Sequence, residues 1–419
     1  MKILFYNHTG TVSGAERVMS MILDRLDRNR FEPVVVCPEA SPMMQRTRGL
    51  NVRTRGLPAL EARFTWRLDQ VVRYLISFAA VIRQARKLVI DEAPDVIHGN
   101  SIRAGLVMAA ATVGLEMPVI WHAHDILPRH PLSTAVRLFA GITSRNRIVA
   151  VSRAAGDRFR GIILRPLKRR VPIVVIHNAV DLERFKPNSE SRREIHRALG
   201  LTETERVIGI VGHLTSNKGQ LELIEAFAAI SRETSDAVLL IVGEPLFNRG
   251  ADYKKSMLRA AESLGIADRV RFLGSRVDIP ELMQGFDLLV LNSRSEAFSL
   301  TALEGLASGT AVLATAVGGT TEMIRHGENG WLVQARVQDE LVKAMLTLLR
   351  DDGLRAELGR QGRREAIARF SIQRFLNEVE DLYSGIFNNG EMSQENKSGR
   401  NFEPGLDPGK RVVSPRSLF

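Results

Sequence analysis

Glu296 and Glu304 stand eight positions apart, with Phe298 and Ser299 between them. Carboxylates grip sugar hydroxyls, and unpaired amides at a helix start hold phosphate. The chemistry open to this spacing is therefore recognition of a sugar joined to a phosphate. Glu296, ahead of the helix, can take two sugar hydroxyls. Ala297 leads into the amides of Phe298, Ser299, Leu300 and Thr301, which can face a phosphate. Glu304 lies about a turn and a half inside the helix and can take a ribose diol. The plain alternative is a pair of solvated helix charges.

The surrounding elements favour the first reading. Asp287–Ser293 reads as a strand. Leu300, Leu303 and Leu306 recur at helical spacing. Ser299 is placed to cap that helix and Gly309 to end it in a left-handed conformation. Ala311–Ala314 then reads as a short buried strand. Upstream, Val207–Gly212 is a strand followed by the turn His213–Gly219, which carries Lys218, and a helix over 220–230. Val238–Val242 is another strand, turning at Gly243 and Glu244. In the first half, Lys2–Asn7 is the opening strand and Thr9–Arg17 a glycine-bearing turn into a helix. Ser13 and Glu16 form an S-x-x-E capping box there, which alone accounts for both. The turn is not G-x-G-x-x-G, so a dinucleotide fingerprint is absent. Asp95–His98 and Pro118–Asp125 are strands that place His98, His122 and His124 at strand ends, where open sheets put ligand contacts. Such alternation argues for parallel sheets covered on both faces.

The Glu296–Glu304 segment resembles the E-x7-E region of retaining glycosyltransferases of the GT-B fold, family four, and the resemblance spans most of residues 1–387. It implies an α/β protein with two Rossmann-like, doubly wound parallel-sheet domains facing a central cleft. Residues 1–180 would form the acceptor domain, 186–370 the nucleotide-sugar domain and 371–387 a helix crossing back to the first. The family's Gly-Gly-Ala-Glu turn is matched at Gly14 and Glu16, with Ser13 in place of the first glycine; it lies near donor phosphates and acceptor. The family's His-Asp is matched at His124, which would contact the sugar near its reacting carbon; a structural role is the better reading of His122. The diphosphate-binding lysine is matched at Lys218. His213 stands where arginine is usual, and a neutral imidazole gives one hydrogen bond where arginine gives a charged fork. Gly243 falls in the donor-binding turn. The base would be held by main chain near 269–274 and stays unassigned.

Composition sets the outer limits. The chain has 419 residues, 44% apolar and 25% charged, enough for about two globular domains. Its one cysteine, Cys37, excludes an internal disulfide and points to a reducing cytoplasm. The short apolar run at the N-terminus reads as a strand rather than a leader, and no apolar stretch reaches membrane-spanning length. The net charge is +11 and uneven: residues 41–90 carry ten Lys or Arg against two acids, and 153–170 seven against one. Such a field attracts anionic lipid, nucleic acid or an acidic substrate. Nucleic-acid motifs are missing, so no nucleic-acid partner is expected. A helix over 64–91, with Leu68, Val71, Val72, Leu75, Ile76, Ala79, Ile82 and Val89 on one face and arginines around it, can lie in a membrane interface; a core-packed helix with a solvated basic face is the alternative. Residues 388–419 lack periodicity and read as a disordered tail.

No D-x-D tripeptide occurs, so no metal and no other cofactor is expected. The expected function is retaining, metal-independent glycosyl transfer from a nucleotide-sugar to a saccharide or lipid-linked acceptor in polysaccharide biosynthesis. It would take place in the cytoplasm, at the anionic inner face of the membrane. A GT-B nucleotide-sugar 2-epimerase and a non-catalytic sugar-nucleotide-binding module remain the alternatives.

Overall fold

The computed structural model describes residues 1–60, 67–141, 145–160, 171–245 and 251–398. Its first domain is built on seven strands: β1 (Lys2–Tyr6), β2 (Glu32–Cys37), β3 (Arg53–Gly56), β4 (Val96–Gly99), β5 (Val119–Ala123), β6 (Arg147–Ala150) and β7 (Ile173–Val175). They pair in the order β3-β2-β1-β4-β5-β6-β7, all parallel. Side chains alternate across a strand, so β1 feeds two cores. Ile3 and Phe5 pack with α1 (Gly14–Arg25), while Leu4 and Tyr6 pack with α3 (Leu68–Glu92) and α4 (Ile102–Ala111). Helices α2 (Pro42–Gly49), α5 (Pro131–Ala140) and α6 (Arg153–Asp157) complete the domain.

The second sheet has six parallel strands in the order β10-β9-β8-β11-β12-β13. They are β8 (Arg206–Val211), β9 (Ala237–Val242), β10 (Val270–Gly274), β11 (Leu288–Leu291), β12 (Val312–Thr315) and β13 (Trp331–Val333). Helices α8 (Gln220–Ile230), α9 (Ala251–Ser263) and α13 (Gln338–Arg350) contribute to one core, α7 (Ser189–Ala198), α10 (Ile279–Gly285), α11 (Leu300–Ser308) and α12 (Thr320–Met323) to the other, and α14 (Asp352–Arg369) to both. The expected cap holds: the Ser299 hydroxyl accepts from the Ala302 amide at 3.2 Å, and Gly309 ends α11 at φ 73°.

In each sheet the chain order reverses once, between β1 and β4 and between β8 and β11. Ligands of open α/β sheets bind outside the carboxyl ends of strands at such points. The Val180 amide donates to the Phe370 carbonyl at 2.9 Å, so the two crossings between domains lie side by side. The final helix, α15 (Ile372–Ser398), then returns Phe375, Val379 and Tyr383 to the first core.

Two expectations change here. Of the expected tail, residues 388–398 continue α15, and 399–419 lie outside the described residues. The long basic helix buries Val81, Ala85 and Val89, whereas Val72, Leu75 and Ile76 are 54%, 62% and 67% exposed. The expected apolar stripe thus splits, because only the C-terminal half of α3 is covered by the core. Arg63 and the basic run at 165–170 lie outside the described residues.

Glu322 ties the domains. Its carboxylate accepts from the Arg153 and Ala154 amides at the start of α6, at 2.9 and 3.0 Å, and meets His177 Nε2 at 3.0 Å. Burial pushes its pKa up, but His177 and the two amides outweigh this and hold it below the ordinary 4.5. Stability from this group is therefore complete above 4.5 and is lost as pH falls through the lower folded value. Glu322→Ala is expected to lower unfolding free energy by about 1–2 kcal/mol near neutral pH, solvent screening allowed for. Thermal unfolding at pH 7 and pH 3 checks this: the deficit should shrink at the lower pH.

Candidate active site

A cleft of about 1140 Å³ opens between the domains, walled by the loops after β1, β5, β8, β9 and β11. Sites for one small ligand usually span about 300–1,000 Å³, so this one has room for two co-substrates. His124, His213, Lys218, Gly243, Glu296, Ala297, Phe298, Ser299, Leu300, Thr301, Glu304 and Gly14 all line it. Glu16 does not. Its carboxylate accepts from the Ser13 amide at 2.9 Å and from the Ser13 hydroxyl, leaving it buried as a helix cap.

Glu296 is held from two sides. The Ser293 hydroxyl donates to Oε1 at 2.7 Å, and the Lys218 ammonium pairs with the same oxygen. The loop is fixed by close backbone packing. Gly318 has φ +50°, and a Cβ there would stand 1.9 Å from the Glu296 carbonyl, so only glycine fits. Gly243 is equally constrained: at φ +136° its Cβ would stand 2.0 Å from the Gly212 carbonyl. Beyond Glu296, Ala297 and Phe298 turn their side chains into the inter-domain core, where the Phe298 ring stacks on His177 at 4.8 Å. These two can therefore meet a ligand through main chain. The amides of Leu300 and Thr301 have no acceptor among the described residues and open onto the cleft.

Glu304 is nearly enclosed and pairs with Arg17 of α1, across the cleft. Burial raises its pKa, and Arg17 pulls against that. Arg17 escaped sequence reasoning because its partner lies 287 positions away, and its only local signal is a place in the first turns of a helix that starts at the cleft. Asp125 was missed as well, read only as the second half of a His-Asp pair. Its carboxylate lines the cleft without a hydrogen-bond partner among the described residues. Surrounding protein raises its pKa, Arg103 opposes that, and the charges of Glu16 and Glu296 add to it.

The histidines divide. His98 and His122 are buried and linked to each other at 3.0 Å, and His98 Nδ1 meets the Tyr383 hydroxyl at 2.7 Å, which makes them part of the core. His124 reaches the cleft, its ring 3.9 Å from that of His122, and burial lowers its pKa to about 3. His213 is exposed to the cleft, and burial followed by Lys218 lowers its pKa, so at neutral pH it brings no charge. Among the described residues, the cations lining the cleft are Lys218, Arg184 and Arg276 on one side, the last paired with Asp278, and Arg17 on the other.

The chain resembles known proteins in both of its domains. The family model "Glycosyl transferases group 1" matches residues 191–365, and "Glycosyltransferase Family 4" matches residues 12–184. A D-inositol 3-phosphate glycosyltransferase of Salinispora arenicola is 30% identical over 311 residues, covering 69% of this chain and 68% of the relative. A UDP-Gal:alpha-D-GlcNAc-diphosphoundecaprenol alpha-1,3-galactosyltransferase of Escherichia coli is 24% identical, covering 89% and 94%. The crystal structure of Anabaena Alr3699/HepE in complex with UDP-glucose superposes with a TM-score of 0.76 at 26% identity, covering 92% of this chain and all of that one.

Proposed function

Because the chain belongs to the glycosyl transferases group 1 family, built on two facing parallel-sheet domains of the GT-B fold, we propose that it moves a hexosyl group from a uridine diphosphate sugar to a lipid-linked saccharide, with retention at the anomeric carbon. Glycosyl transfer itself follows from the family. The observation that carries the finer reading is the alignment of Glu296, Lys218, the α11 amides and Glu304 along one wall of the cleft. Glu296 would orient the sugar hydroxyls. Lys218, Arg17 and the amides of Leu300 and Thr301 would meet charge on the leaving diphosphate, which is where preorganised donors contribute most to rate. The reading asks for no metal: these groups supply the charge. It also makes Glu296 no nucleophile; attack comes on the same face of the sugar, helped by the leaving phosphate oxygen. Closure of the domains would exclude water.

Uridine as the base is supported by the Anabaena complex, and a lipid-linked acceptor by the diphosphoundecaprenol in the Escherichia coli relative's name. The acceptor side of this chain fits a membrane surface. Val72, Leu75 and Ile76 on α3 and Leu132 and Phe139 on α5 are exposed, and α3 also exposes Arg73, Arg83 and Lys87. Apolar side chains rimmed by cations suit an anionic interface. No helix among the described residues is long and apolar enough to cross a membrane, so attachment would be peripheral.

Transfer from UDP-hexoses to a polyprenyl-diphosphate saccharide, with the linkage read by NMR, tests the function; an inverted product or epimerised donor without transfer would contradict it. For the surface, the chain is expected to float with phosphatidylglycerol vesicles and not with phosphatidylcholine vesicles. Leu75→Ser with Ile76→Ser should abolish flotation, and equal partitioning into both vesicles would refute this part.

A further inference from the structure

We propose that Asn7 and Asn100 fix the His124 imidazole with its proton on Nε2, so that Nδ1 faces the cleft as a hydrogen-bond acceptor. Both asparagines sit directly after the strands at the first sheet's reversal point, Asn7 after β1 and Asn100 after β4. The assignment starts from an atom with no ambiguity. The Thr9 carbonyl can only accept, so the Asn7 atom 2.7 Å from it must be the amide nitrogen. That turns Asn7 Oδ1 toward Asn100, whose amide nitrogen donates to it at 3.0 Å. Asn100 Oδ1 is then left facing His124 Nε2 at 3.2 Å, and an amide oxygen can only accept. Nε2 therefore carries hydrogen. The neutral ring holds one such proton, so Nδ1 presents a lone pair, and Nδ1 has no partner among the described residues.

The ring is held in this state from other sides as well. His122 lies against its face, with ring centroids 3.9 Å apart and planes tilted by 35°. Enclosure keeps the imidazole neutral at physiological pH, with its pKa near 3. What meets His124 in the cleft must consequently donate: a sugar hydroxyl suits it, and a sugar carboxylate would place one lone pair against another. Asn7 and Asn100 touch no substrate in this scheme. They are positioning residues acting through His124, and their catalytic role rests on the donor reading above, whereas the tautomer does not.

The test uses the full chain labelled with ¹⁵N-histidine. Long-range nitrogen–proton correlation at neutral pH, with the His124 signals assigned by their loss in His124→Gln, is expected to show a protonated Nε2 and an unprotonated Nδ1. Asn100→Ala should mix the tautomers and lower kcat about ten- to hundredfold, taking the scale from removal of the orienting partner of a metal-bound histidine. Asn100→Asp keeps an acceptor opposite Nε2 but loses the donor to Asn7 and brings a charge that favours a second proton on the ring, so it should keep Nε2 protonated and recover only part of kcat. A wild-type ring protonated on Nδ1, or on both nitrogens, overturns the proposal whatever the variants do. A tautomer shift in Asn100→Ala with unchanged kcat overturns the positioning role. The stated tautomer in a wild-type protein that transfers no sugar supports the lock and counts against the donor reading.

Discussion

Glu296→Gln is expected to lower kcat for sugar transfer by about a hundred- to a thousandfold while leaving the fold intact, the scale set by removing one preorganised group from a charge-stabilising site. The substitution keeps shape and an oxygen that can still accept from the Ser293 hydroxyl. It removes the charge that pairs with Lys218 and the second acceptor a sugar diol would need. Misplacing the reacting sugar by about 1 Å is enough to cost a hundredfold, so loss of orientation alone accounts for the lower bound. Steady-state kinetics with matched unfolding curves checks this. Full transfer activity in a folded Glu296→Gln protein would remove the centre of the account.

The second large effect is expected at Lys218. Lys218→Ala should lower kcat/KM by about a hundred- to a thousandfold, because the ammonium is the cation closest to Glu296 and no fixed charge stands at position 213 to share its task. The Lys218 stem runs beside Gly212. The two substitutions should not add. The residues share one contact, and groups that act as a unit are non-additive when removed together. Lys218→Ala combined with Glu296→Gln is therefore expected to be only slightly worse than the poorer single variant. Strictly multiplicative losses would mean that the pair does not work as one device.

Much of this site was legible before any coordinates. Ser299 and Gly309 bracket three leucines at helical spacing, and such local signals give the loop, helix and strand around Glu296 directly. The turn that carries Lys218 was legible for the same reason, since it follows an apolar strand and leads into a helix. What stayed hidden depends on contacts between distant parts of the chain. Arg17 finds Glu304, and Asn7 finds Asn100 from 93 positions away; no periodicity reports either pair. Phe298 was read for its main-chain amide, and nothing local reported that its ring packs in the core against His177 and Phe370, from the linker and the end of α14. In α3, apolar spacing gave the helix but not its burial, because coverage depends on neighbours from other parts of the chain such as α4. Glu16 shows the converse. Its local capping role, visible in the sequence, is the role it has in the fold.

Equilibrium titration of UDP and of an intact UDP-hexose against wild type, Glu304→Ala and Glu296→Gln separates the two ends of the cleft. The arrangement predicts that Glu304→Ala weakens both ligands by a similar factor, since both carry the ribose, and that Glu296→Gln weakens the UDP-hexose while leaving UDP almost unchanged. Wild-type affinity for the UDP-hexose in both variants would contradict it.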